Sequence, residues 1–207
     1  YTMQGSAFSL PATGVWTLVS GTGTIANTGS PTTNISGLGI GANIFRWTIL
    51  NGPCPVGQDF DEMTIFVFDE NQLDANAGPD QELCFNGTVP ANATMAASAV
   101  VFPGAGSWTI IQGSGTIVSS TSPTTLITNL GIGQNIFRWT VDNGPCANAN
   151  TFDDVSIFVF SGAQAPAFAG ADQELCSTNP STTLAGNTVI FPGSGLWTVV
   201  QGTAVFA

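Results

Sequence analysis

The chain repeats itself with a period of 92 residues. Residue 1 set over residue 93 gives an alignment without gaps over most of two copies. "GVWTLVSGTGTI" (14–25) falls on "GSWTIIQGSGTI" (106–117), and "SPTT" (30–33) on "SPTT" (122–125). "GLGIGANIFRWTILNGPC" (37–54) falls on "NLGIGQNIFRWTVDNGPC" (129–146), and "FDEMTIFVF" (60–68) on "FDDVSIFVF" (152–160). A third copy opens with "AGADQELC" (169–176) against "AGPDQELC" (77–84). It continues with "FPGSGLWTVVQG" (191–202) against "FPGAGSWTIIQG" (102–113), after a three-residue deletion. Roughly half of the aligned positions are identical, so each copy must adopt one and the same fold. A unit of about this size is one small β-sandwich domain. The reading is a repeat lacking its first strand over 1–70, a complete repeat over 71–162, and the N-terminal half of a third over 163–207. The expectation is a window from a longer tandem array.

Within the complete copy, seven short strands are predicted, near 80–84, 91–97, 107–112, 115–119, 124–129, 135–142 and 155–160. Gly-, Pro- and Asn-rich clusters such as "FPGAG", "QGSG" and "DNGPC" separate them. Many short strands with turn signals and no helical period give an all-β fold of tandem Ig-like antiparallel β-sandwiches.

Charge is scarce and one-sided. Of 207 residues, 13 are Asp or Glu, two are Arg, and none is Lys or His, for a net charge of −11. Nucleic acid and anionic lipid need clustered Lys or Arg, so neither is a fitting partner. No run of about 18 apolar residues marks a membrane span, and no signal peptide is present in these residues. Without histidine, Ser-His-Asp and Cys-His catalysis are excluded. Without lysine, Schiff bases, Walker-A loops and Lys–Asn isopeptide staples are excluded. "GLGIG" and "GTGTI" lack the GxGxxG spacing into a helix and read as turns. The acidic pairs Asp61/Glu62 and Asp153/Asp154 lie next to each other on strands, so the members of a pair face opposite ways. The expectation is a protein that is no enzyme and needs no cofactor. The one candidate calcium ligand set is Asp69, Glu70, Asp74 and Asp80 in "FDENQLDANAGPDQE" (68–82). The corresponding stretch 160–174 lacks most of these oxygens. The sequons at Asn34, Asn86 and Asn92 matter only in a eukaryotic host.

Both basic residues, Arg46 and Arg138, sit in copies of one hexapeptide, "NIFRWT". Alternation along a strand puts Phe137, Trp139 and Val141 on one face and Ile136, Arg138 and Thr140 on the other. Trp139 and its counterparts Trp16, Trp47, Trp108 and Trp197 read as core. Arg138 then pairs with a carboxylate of an adjacent strand or stacks on an aromatic ring, with Asp153 or Asp154 the nearest acid. Its role, like that of Arg46, is structural. The cysteines recur as "QELC" and "NGPC". Four cysteines allow three pairings. Repeat logic favours a bond inside each domain, Cys84 to Cys146, with Cys54 and Cys176 bonded to cysteines outside 1–207. Such a bond places the chain in an oxidising, extracellular setting.

The set "AGPDQELC … GSWTIIQGSGTI … SPTT … LGIGQNIFRWTVDNGPC … DDVSIFVF" resembles the Ig-like (PKD-like) repeats of giant surface adhesins of gliding bacteria, over the whole chain. The resemblance implies type IX secretion, a cell-surface location, and a part in adhesion, gliding motility or a long filament stalk. It supplies no catalytic residues. It implies neighbouring repeats of the same chain as partners, with surface glycans or other cell-surface proteins beyond them. Spacer domains of a secreted multidomain enzyme, or a carbohydrate-binding module, are the alternatives.

Overall fold

A computed structural model describes residues 1–54, 59–87, 91–146, 149–178 and 180–206. The first repeat holds β1 (Thr2–Gln4), β2 (Thr13–Ser20), β3 (Thr24–Ile25), β4 (Thr32–Ser36), β5 (Gly41–Leu50) and β6 (Asp59–Val67). The second holds β7 (Gln81–Phe85), β8 (Ala91–Thr94), β9 (Ala105–Gln112), β10 (Thr116–Ile117), β11 (Leu126–Leu130), β12 (Gly133–Asp142) and β13 (Asn150–Ser161). No helix occurs among the described residues. Strands β2, β3 and β5 recur as β9, β10 and β12 at an offset of 92 residues, so the sequence period is also the structural one.

Among the described residues, each of the first two repeats has two sheets. In the first they are β1-β4-β3 and β2-β5-β6; in the second, β10-β11-β8 and β7-β13-β12-β9. Residues of both sheets meet in the core of the first repeat. Met3 and Ile35 come from one sheet and Trp16, Phe45 and Trp47 from the other, with Phe8, Ile25, Leu38, Met63 and Ile65 at the margin. In the second, Met95, Ile127, Leu130, Trp108, Phe137, Trp139, Ile157 and Val159 are all buried. The arrangement is a β-sandwich.

All seven strands expected in the complete repeat are present, with shifted ends. The strand expected over 91–97 stops at Thr94. Ala97 N–H still donates to Pro123 O across the gap, but Pro123 has no N–H with which to return the bond. One pairing differs from the antiparallel expectation. β7 runs parallel to β13, from Gln81 beside Ile157 to Phe85 beside Ser161.

The described residues of 163–206 form no strand. Their "GLWTVV" segment matches β2 and β9, whose ladder partners are β5 and β12.

By contact the chain divides into two compact units. The first is Tyr1–Ala75 with Ala99–Gly106 and Thr140–Phe152; the second is Asn76–Ser98, Ser107–Trp139 and Asp153–Ala207.

Candidate functional site

The arginine strand carries the most concentrated chemistry in each repeat. On β5 and β12 the alternation is as its residues demand: Phe45, Trp47, Phe137 and Trp139 are buried, while Arg46 and Arg138 lie half-buried on the outer face. Arg46 sits opposite Glu62 in the β5–β6 ladder. Its Nε donates to Glu62 Oε1 at 2.8 Å, and its guanidinium lies 4.1 Å from the Phe60 ring centroid. Arg138 meets Asp154 with two donors, Nε to Oδ1 at 2.8 Å and Nη2 to Oδ2 at 2.9 Å. Such a two-pronged geometry suits the planar guanidinium. The Arg138 hydrogen bonds hold the Asp154 carboxyl below its ordinary value of 3.8, and the same bonds raise Arg138. Each arginine is thus engaged by its own hairpin. Asp153 turns elsewhere: its Oδ2 accepts the Ala77 N–H. Asp61 stands opposite Trp47 in the ladder.

Beside the arginine lies a residue that sequence reasoning passed over. Asn43, 1% exposed, donates through Nδ2 to the carbonyls of Gly39, Gly41 and Ile65 and accepts the Thr22 N–H. Asn135 repeats this with Gly131, Gly133, Ile157 and Ser114. A buried amide that bonds four backbone groups ties the glycine turn to two strands. The second passed-over residue is Thr33, with its counterpart Thr125. Their Oγ1 atoms accept the N–H of Asn27 and Ser119, which gives "SPTT" its structural reason.

The tryptophans form one tilted pair in each of the first two repeats, Trp16–Trp47 and Trp108–Trp139, with ring centroids 5.1 Å apart in both. Trp16 Nε1 donates to Ser30 O, Trp108 Nε1 to Ser122 O, and Trp47 Nε1 to Ser6 O. Trp197 has no such partner ring among the described residues and is 41% exposed.

The repeat junctions form the second candidate site. Phe102 of the "FPG" loop belongs to the first compact unit. It meets Phe66 edge-on at 6.0 Å, and a Cβ placed on Gly41 (φ +105°) would lie 3.9 Å from its ring. Gln72 holds that loop in place: its Oε1 accepts the Val101 N–H and its Nε2 donates to Ala99 O. Asn143 Nδ2 donates to Asp69 O, and Gly144 lies against the Phe68 ring. The second unit repeats the device. Phe191 lies beside Gly133, and Gln164 Oε1 and Nε2 bond Ile190 N–H and Thr188 O. Sequence could have pointed here. The glutamine at position 72 precedes Phe102 by 30 positions, and the one at position 164 precedes Phe191 by 27. The three-residue deletion between the copies accounts for the difference, so glutamine and "FPG" recur as a linked pair.

The expected bond within the complete repeat is corrected: no disulfide joins Cys84 to Cys146. The reason lies in the parallel pairing of β7. Cys84 stands beside Phe160, near the end of β13. Cys146 lies in the turn closed by the Asn143 N–H bond to Ala149 O, just before β13 begins. A strand advances about 3.3 Å per residue, so about 30 Å of β13 separates them. A disulfide needs Cα atoms within about 7 Å.

The candidate calcium residues are not gathered. Asp69 Oδ1 accepts the Asn71 N–H and Asp80 Oδ1 the Ser156 N–H. No group of three or more His, Cys, Asp or Glu side chains among the described residues could share a metal ion.

No known family profile matches the chain, and no curated protein does. Solved structures do. A PKD domain from the KIAA 1837 protein matches 49% of this chain and 93% of its own length, at 22% identity and TM-score 0.36. The titin Ig tandem A164–A165 matches 72% and 81%, at 11% identity and TM-score 0.35. The tandem Ig repeats of Dlar match 73% and 84%, at 16% identity and TM-score 0.31. Strand order and register, described above, carry the fold assignment.

Proposed function

We propose that this chain is a structural and adhesive repeat region of a long extracellular cell-surface protein, an adhesin or filament stalk. Its domains are 1–70, 71–162 and 163–207. The observation that carries this reading is the twofold use of one junction device, Phe102 on Gly41 and Phe191 on Gly133, each positioned by a linker glutamine. A chain that specifies its repeat contacts residue by residue is built to be stacked, and its stability is a sum of repeat and nearest-neighbour terms. Its immediate partners are therefore neighbouring repeats. Glycans or surface proteins are engaged through many weak contacts on one chain, whose avidity grows through effective concentration. The arginines serve the fold and not a ligand. Resemblance to the repeats of gliding bacteria supports a place in gliding motility and export by the type IX route.

The test places arrays of two, four and eight 92-residue repeats on beads and measures their attachment to a cell-surface glycan array. Attachment rising steeply with repeat number, from negligible binding of the 207-residue chain, is expected. Tight saturable binding of one glycan by the short chain would assign it instead to carbohydrate recognition.

A further inference from the structure

Asn143 and Gly144 follow β12 in the turn that leads toward β13. Asn143 is 2% exposed although it stands in a turn. Its Nδ2 donates to Asp69 O at 2.8 Å and its N–H to Ala149 O at 2.6 Å, while its Oδ1 meets no donor among the described residues. The Gly144 N–H donates to Asp142 Oδ1 at 2.9 Å, and a Cβ on Gly144 (φ +58°) would overlap the Phe68 ring. Phe68, Asp69, Asp142, Asn143, Gly144 and Ala149 all belong to the first compact unit.

Asn-Gly is a dipeptide that can attack itself. Glycine has no Cβ to shield its nitrogen. That nitrogen can lose its proton, close on the Cγ of the preceding asparagine and expel ammonia. Water then opens the five-membered imide at either carbonyl and leaves aspartate or isoaspartate, so one water is consumed and one ammonia released. Each contact at Asn143–Gly144 opposes a stage of this reaction. The bond to Asp69 O holds the side-chain amide, so Cγ is not free to swing onto the Gly144 nitrogen. The Asp142 carboxylate holds the Gly144 proton, and its charge opposes an anion at that nitrogen. The Phe68 ring covers Gly144 and keeps hydroxide from it.

We infer that Asn143–Gly144 is a latent self-modification site that the repeat junction protects. Opening the junction frees the amide to react. The product carries a carboxylate where Nδ2 stood, so it has no proton for Asp69 O and sets negative charge against a carbonyl in a buried place. The junction then re-forms weaker, and the chain keeps a covalent mark of having been opened. This inference does not depend on the adhesive reading.

The test holds the full 207-residue chain at mildly alkaline pH and follows residue 143 by chymotryptic peptide mapping and mass spectrometry. Asn143 should stay intact in the native chain over a period in which a urea-unfolded sample converts it. Phe68→Ala, which uncovers Gly144, should speed the conversion roughly two- to tenfold, the factor by which loss of one aromatic contact raises the open fraction. Tryptophan emission checks that both sandwiches stay folded in this variant. Asn143→Asp, the product made directly, should speed hydrogen exchange at Val101, whose N–H is held across the junction by Gln72. That arm and the comparison of native with unfolded chain decide the matter if Phe68→Ala unfolds a sandwich. Conversion as fast in the native chain as in urea would overturn the inference. So would a folded Phe68→Ala chain that converts no faster than the native one, or an Asn143→Asp chain with unchanged exchange at Val101.

Discussion

Arg138 illustrates how little and how much one residue does. Its pair with Asp154 is about a third exposed on each side, so water screens it and its contribution to stability is small. Arg138→Gln should lower the melting temperature slightly, while Trp139→Ala, which empties the core, should cost about 3–5 kcal/mol. Thermal melts of both variants check the contrast. The pair also has a pH signature. The folded Asp154 carboxyl is held below its ordinary 3.8, so its stabilisation is complete above about pH 4 and vanishes as pH falls through the lowered value. The melting difference between the native chain and Asp154→Asn should therefore shrink toward zero in acid. A difference that grew in acid would contradict the sign. Asn135→Ala should be costlier, at about 2–3 kcal/mol, because it strands buried backbone groups. Arg138 could be placed from alternation alone, since a charge between Phe and Trp has only one face to occupy. Asn135 could not. It sits on the buried face, where pattern reading expects a hydrophobe, and only the converging carbonyls reveal why an amide is needed.

At the scale of elements, the seven strands of the complete repeat were legible because turn clusters bracket them. The partner of β7 was not. Strand pairing is a long-range choice, and nothing in "DQELC" says that it will lie parallel to β13 rather than antiparallel to another strand. The cysteine expectation failed on that one pairing, because two residues in one repeat can still stand at opposite ends of a strand. Thiol labelling without reductant, followed by peptide mapping, should find Cys84 and Cys146 modified separately and never joined to each other. The long central strands carry a different consequence. Arg46 and Arg138 are the two tryptic sites, and both lie in the middle of ten-residue strands. Cleavage at either needs the hairpin to open. Native digests should leave the chain largely intact over hours in which a urea-unfolded control is cut.

For the whole molecule, the sequence showed the 92-residue period but not which residues meet across it. The Phe102 contact depends on Gly41, 61 positions earlier, and the two belong to different copies of the period. Phe102→Ala should leave each sandwich folded and weaken the term that couples them, by about 1 kcal/mol. Calorimetry should then show the unfolding of the chain broadening or separating into two transitions. A transition that stayed sharp and merely shifted would argue against a junction role.

The parallel pairing of β7 with β13 has a mechanical meaning. These are the first and last strands of the complete repeat, and five residue pairs join them side by side. Tension applied at the two ends of that repeat draws the strands past each other along their length. The ladder is then loaded in shear, and its bonds share the force instead of parting one after another as in a zipper. In a single-molecule pulling experiment the complete repeat should rupture at higher force than a hairpin unzipped from its tip.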